Sequence, residues 1–171
     1  MDRYACGISL VECLCTLIIV SIIAMIALPP LNTMLENSNR TQATNQLLAT
    51  LHFARSTAVY QRGVVTVCPG VTQCTGERVW SESLMVFHDT NRNGQLDMGE
   101  QVIRLESLLD DYSWRWASFR QGTFIQFEAN GTTLAHNGTF TLCKEQQPQR
   151  QVVISLSGRA RTQAPAGTAR C

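Results

Sequence analysis

The chain is 171 residues long and 44% apolar, enough for one globular domain plus a membrane-length segment. Its net charge of +1 is uninformative as a total, but 13 of its 14 basic residues are arginine, Lys144 being the exception. No G-x-S-x-G, P-loop or H-E-x-x-H pattern is present, His52, His88 and His136 are scattered, and no cysteines have C-x-x-C zinc spacing. Neither an enzyme, a small-molecule substrate nor a sulfur-bound metal is therefore expected.

The first predicted element is apolar. Residues 8–28 number 21 and are uncharged except for Glu12, so they are long enough to cross a bilayer as a helix. A carboxylate at that depth needs a cation. A secretory signal fits poorly, because Arg3 is offset by Asp2 and no small-x-small cleavage site follows the run. A lipobox also fails, since Cys6 precedes the apolar segment. Pro29 and Pro30 remove two backbone donors and are expected to kink or loosen the helix.

A short polar leader ends in Gly7, Ile8 follows, and Glu12 is fifth after that glycine. The stretch GISLVE resembles the GFTLIE start of type IV pilins, with Ile8 in the place of the usual phenylalanine. The resemblance implies that a prepilin peptidase cuts after Gly7, that the new amine of Ile8 is methylated, and that Glu12 pairs with the N-terminal amine of a neighbouring subunit. An ion pair in low dielectric is strong when made and costly when broken, so it can check register during assembly.

Beyond the prolines, Leu47, Leu48, Leu51, Ala54 and Ala58 recur at helical spacing. One long helix is expected from about Ile8 to about Gln61, ended by Gly63. The phrase LLATLHFARSTAVYQRG resembles the LxxARSEAxxRG stretch of the GspH/FimT family of minor pilins and pseudopilins, with Thr57 replacing the usual glutamate.

From Gly63 onward the signals are for strands: GVVTVC, LMVFHD, QVIRL, TFIQFE, TFTLC and QVVISLS. Asn93-Gly94, Asn130-Gly131 and Asn137-Gly138 read as hairpin turns. Trp80, Trp114 and Trp116 read as core and rim residues rather than base-stacking platforms. The expected fold is α+β and type IV pilin-like, with a long N-terminal helix packed on antiparallel sheet. Its parts are a leader (1–7), a membrane or filament-core helix (8–28), an amphipathic helix half (29–62) and a β-rich domain (63–171). The four cysteines of that domain, Cys68, Cys74, Cys143 and Cys171, allow three pairings. In one, Cys68 and Cys74 enclose a short loop and Cys143 and Cys171 tie the tail to a strand.

Residues 89–100, DTNRNGQLDMGE, match the twelve-residue EF-hand loop pattern, with Asp89, Asn91, Asn93, Asp97 and Glu100 as oxygen donors. The flanks read as strands where an EF-hand needs helices, so a turn held by Asx side chains is the default and weak calcium binding the alternative. No other cofactor is expected.

After Glu145 no acidic residue occurs, while Arg150, Arg159, Arg161 and Arg170 follow. The stretch SGRAR resembles the G-R-x-R motif at the end of FimT-type minor pilins, which take part in DNA uptake during natural transformation. Gly158, Arg159 and Arg161 are the matching positions, and Arg170, beside Cys171, offers a third cation. Arginines two apart in an extended segment point the same way and can hold phosphate oxygens. The implied function is a minor pilin that binds double-stranded DNA through this basic tail (158–171). The alternatives are a structural FimU-like minor pilin priming assembly, or an H-type pseudopilin of a type II secretion system. The implied partners are other minor and major pilins and the prepilin peptidase. The implied location is the bacterial inner membrane as a single-pass precursor with a periplasmic domain, then the extracellular pilus.

Overall fold

The computed structural model describes residues 9–171, except for the side chains of residues 26–30. The leader, with Gly7 and Ile8, lies outside the described residues, as do the side chains of Pro29 and Pro30. The chain divides into two compact units, Met1–Asn39 and Arg40–Cys171.

A single helix, α1 (Leu10–Gln61), begins in the first unit with Glu12 in its first turn. Within that unit Leu10, Val11, Leu14, Leu17 and Ile18 are exposed. Polar side chains there are satisfied locally: Thr16 Oγ1 donates to the Cys13 carbonyl at 2.8 Å, and Ser21 Oγ to that of Ile18 at 2.8 Å. Such back-bonding suits an apolar surrounding. Among the described residues, no helix is long and apolar enough to cross a membrane, so the span expected over 8–28 is not shown.

In the second unit α1 buries Ala43, Leu47, Leu51, Ala54 and Ala58. These follow the 3.6-residue period and form one stripe. The helix ends at Gln61 and is closed by Arg62 and Gly63. Arg62 takes the left-handed conformation (φ 53°), and Gly63 N–H closes the turn onto the Ala58 carbonyl at 3.2 Å. This is the Schellman pattern with arginine in the position that glycine usually fills.

Nine strands follow: β1 (Val65–Pro69), β2 (Val79–Trp80), β3 (Ser83–His88), β4 (Val102–Ser107), β5 (Ser113–Ser118), β6 (Ile125–Phe127), β7 (Gly138–Lys144), β8 (Gln147–Ile154) and β9 (Ala160–Gln163). They form two antiparallel sheets, ordered β4-β3-β1-β6 and β2-β5-β7-β8-β9. One core joins the α1 stripe to both sheets. Trp80, Trp114 and Trp116 are each no more than 1% exposed. Trp80 and Trp116 pack on Phe140 with ring centroids 4.7 and 4.4 Å away. None of the three is a rim residue or offers a face to a nucleobase.

One expected turn is absent here, and two features of the sheets go beyond the sequence reading. β1 is buried throughout, because a second cluster around Cys68, Met85 and Phe87, with Leu96 and Phe124, covers the outer face of its sheet. Asn137-Gly138 is no turn. Gly138 starts β7, and a Cβ there would lie 2.3 Å from the Ala117 carbonyl oxygen. The segment after QVVI adds a further strand: β9 pairs with β8, with Arg161 opposite Val153 and Ala160 opposite Ile154. Both disulfides join the pairs Cys68–Cys74 and Cys143–Cys171.

Candidate nucleic-acid interface

The turn between β8 and β9 is built on Ser155. Its N–H and Oγ both donate to the Arg159 carbonyl, at 3.0 and 3.3 Å, and its own carbonyl accepts from Gly158 N–H at 2.9 Å. Gly158 has φ +73°, and a Cβ there would stand 2.1 Å from the Gly131 carbonyl oxygen. That same oxygen accepts a hydrogen bond from Arg55 Nε at 2.9 Å. The adjacent Thr133 N–H donates to the Leu156 carbonyl at 3.0 Å. So Gly158 is more than a flexible exit from a strand. It lets the turn touch the 130–133 loop at the point where α1 also reaches it.

Ala160 packs on the core, and the period of two then turns Arg161 outward, with Arg159 on the same side. Arg159, Arg161 and Arg170 are exposed, and among the described residues none of them has an ion-pair partner. Arg170 lies on the segment that the Cys143–Cys171 bridge fastens to β7. Buried Gln151 holds the same segment: its Oε1 accepts from Gln163 Nε2 at 3.1 Å and from Ala166 N–H at 3.2 Å. The arginines are thus long, mobile cations on a fixed backbone, suited to anionic oxygens and not to reading bases.

The 89–100 loop is arranged differently. Asp89 is fully buried. Its Oδ2 accepts from Thr66 Oγ1 (2.7 Å), Gln126 Nε2 (2.7 Å) and Gly94 N–H (2.9 Å), and its Oδ1 from Asn93 N–H (3.1 Å). Asp97 Oδ2 accepts from Asn91 Nδ2 (2.8 Å) and Asn93 Nδ2 (2.7 Å). Glu100 accepts from Thr90 N–H (2.8 Å) and from Asp97 N–H (3.1 Å). The five oxygen-bearing residues are brought together, but their carboxylates face protein donors. Among the described residues no group of three or more His, Cys, Asp or Glu side chains could hold a metal ion.

A feature without a sequence motif lies beside the β8–β9 turn. A groove of about 980 Å³ is lined by Phe119, Arg120, Leu134, His136, Asn137 and Leu156, among others. Phe119 is 80% exposed. Its loop is fixed by Arg78 Nη2, which donates to the Gln121 carbonyl at 3.1 Å, and by Phe119 N–H, which donates to the Asn137 carbonyl at 3.0 Å. His136 stacks on Phe124 with centroids 4.9 Å apart. Burial holds its imidazole below the ordinary histidine range, and the Arg120 charge acts in the same direction. The available signal was a Phe-Arg pair placed between turn residues, where a polar pair is usual.

A long helix on two antiparallel sheets, closed by a C-terminal disulfide, defines a type IV pilin-like protein. The chain belongs to the GspH family: the family described as "Type II transport protein GspH" matches residues 43–158, more than half of its length. The type IV minor pilin FimU of Pseudomonas aeruginosa (strain PAO1) has the same fold, with 23% identity and a TM-score of 0.55 over 77% of this chain and 96% of that one. The minor pseudopilin EpsH from the type II secretion system of Vibrio cholerae also shares the fold, with 13% identity and a TM-score of 0.53 over 79% and 99% of the two chains. No curated protein matches the chain. The family match stops at Gly158, so Arg159, Arg161 and Arg170 lie beyond it.

Proposed function

We propose that this protein is a minor pilin of a type IV pilus that binds DNA without sequence preference, for uptake in natural transformation. In this reading the precursor is cut after Gly7 by a prepilin peptidase and sits in the inner membrane with its second unit in the periplasm. Glu12 then meets the N-terminal amine of a neighbouring pilin as the subunit enters the filament. The observation that carries the DNA reading is the set of exposed arginines, Arg159, Arg161 and Arg170, without an ion-pair partner among the described residues, in a stretch with no acidic side chain after Glu145. Guanidinium groups without internal partners are free to neutralise phosphates, and such binding is weak and salt-dependent.

The test is a titration of the full chain in detergent micelles against short duplex DNA at several salt concentrations. The Arg159→Gln/Arg161→Gln variant is measured beside it. Binding that weakens with salt in the wild type, with the salt slope lowered by roughly two in the variant, supports the reading. Equal binding by both proteins, or none, overturns it. A structural second reading is favoured by Gly158, whose contact with Gly131 gives one motif position a purely architectural reason. In that reading the protein primes a pilus or a type II secretion pseudopilus, and its partners are other pilins or pseudopilins.

A further inference from the structure

We infer that the groove beside the β8–β9 turn is a nucleobase pocket, so that the protein holds unpaired, single-stranded DNA with a base stacked on Phe119 and its phosphates on Arg120 and Arg159. This deepens the DNA reading and rests on it. Two observations converge. Phe119 leaves 80% of its surface in solvent on a loop that Arg78 and Asn137 hold in place, so an aromatic face is presented and kept. Leu134 and Leu156, 56% and 59% exposed, flank the same groove and offer apolar contact to a second base or a sugar.

Charge selects the occupant. Arg120 lines the groove, and Ser157, also in its wall, leads through Gly158 to Arg159. Among the lining residues the carboxylate is Glu128, and it is already paired with Arg92 at 3.2 Å. An apolar platform edged by unpaired cations matches a polyanion with flat apolar faces. A duplex offers the phosphates but hides its base faces, so duplex DNA would use the arginines and leave the groove empty.

The test compares a single-stranded oligothymidylate with a duplex of equal length, using the full chain in detergent micelles. Phe119→Ala, at an exposed site, should lower affinity for the single strand by roughly tenfold or more and leave duplex affinity unchanged. Phe119→Trp should retain single-strand affinity, and its added indole should be quenched by the oligothymidylate and not by the duplex. The inference is overturned if Phe119→Ala leaves single-strand affinity within about twofold of wild type. It is also overturned if that variant binds DNA normally but is lost from sheared filaments, which would make the groove a contact between subunits. If the wild type binds the duplex and the single strand equally, and both bindings vanish only in Arg159→Gln/Arg161→Gln, the pocket fails while the DNA reading stands. Absence of binding to either form overturns both.

Discussion

The 89–100 loop and the β8–β9 turn both carry the glycine-bearing, charged sequences of ligand sites, and they treat their charges in opposite ways. In the first, each carboxylate is turned onto backbone N–H groups or side-chain amides of the same protein, and Asp89 alone accepts four hydrogen bonds. In the second, the arginines have no ion-pair partner among the described residues. A charge that is satisfied from within serves the fold, because removing it strands several donors. A charge left to solvent costs the fold little and remains available to a ligand. The comparison therefore separates architecture from function by counting partners, which the two sequences by themselves do not reveal.

Asp89→Ala should give the largest effect. It leaves Thr66, Gln126 and Gly94 without this acceptor in a buried site, at a cost of about 3 kcal/mol in chemical denaturation. A loss near that of an ordinary surface substitution would mean that the loop is not held from Asp89. Gly158→Ala comes next. Its methyl group would meet the Gly131 carbonyl in a left-handed backbone, so a loss of about 2 kcal/mol is expected, whereas Arg159→Gln/Arg161→Gln should stay within about 0.5 kcal/mol of wild type. Equal losses in the two proteins would erase the distinction between the motif's glycine and its arginines. The smallest effect concerns calcium. At millimolar concentration it should leave the thermal midpoint within about 1 °C, because binding would first have to pull the carboxylates from their donors. A clear rise would show that the loop opens to take the ion.

Much of this architecture was legible from local pattern. The α1 stripe follows a period that the backbone imposes, and β3, β7 and β8 are apolar enough to announce themselves. β9 was not legible, because ARTQ has almost no apolar content and becomes a strand only by pairing with β8. β5, SWRWAS, hides an inward tryptophan ladder among polar residues, and its rings are covered by Phe140, supplied from another strand. At the candidate site the arginines were visible as a charge run. The reason for Gly158 was not, since the atom that demands it belongs to Gly131, and that contact exists only after the sheet has formed. The Phe119 groove left no motif because its walls come from separate loops.

The junction of Arg55, Gly131 and Gly158 also bears on how relatives of this protein should be sorted. On the proposed DNA reading, relatives that bind no DNA would still be under pressure to keep the glycine, because α1 and the 130–133 loop meet the turn there whatever the ligand. The arginines carry no such obligation and can drift once the ligand is gone. A census that weights all positions of G-R-x-R alike would therefore count a glycine kept for architecture as a mark of DNA binding. Scoring Arg159 and Arg161 separately from Gly158 would tell the two histories apart.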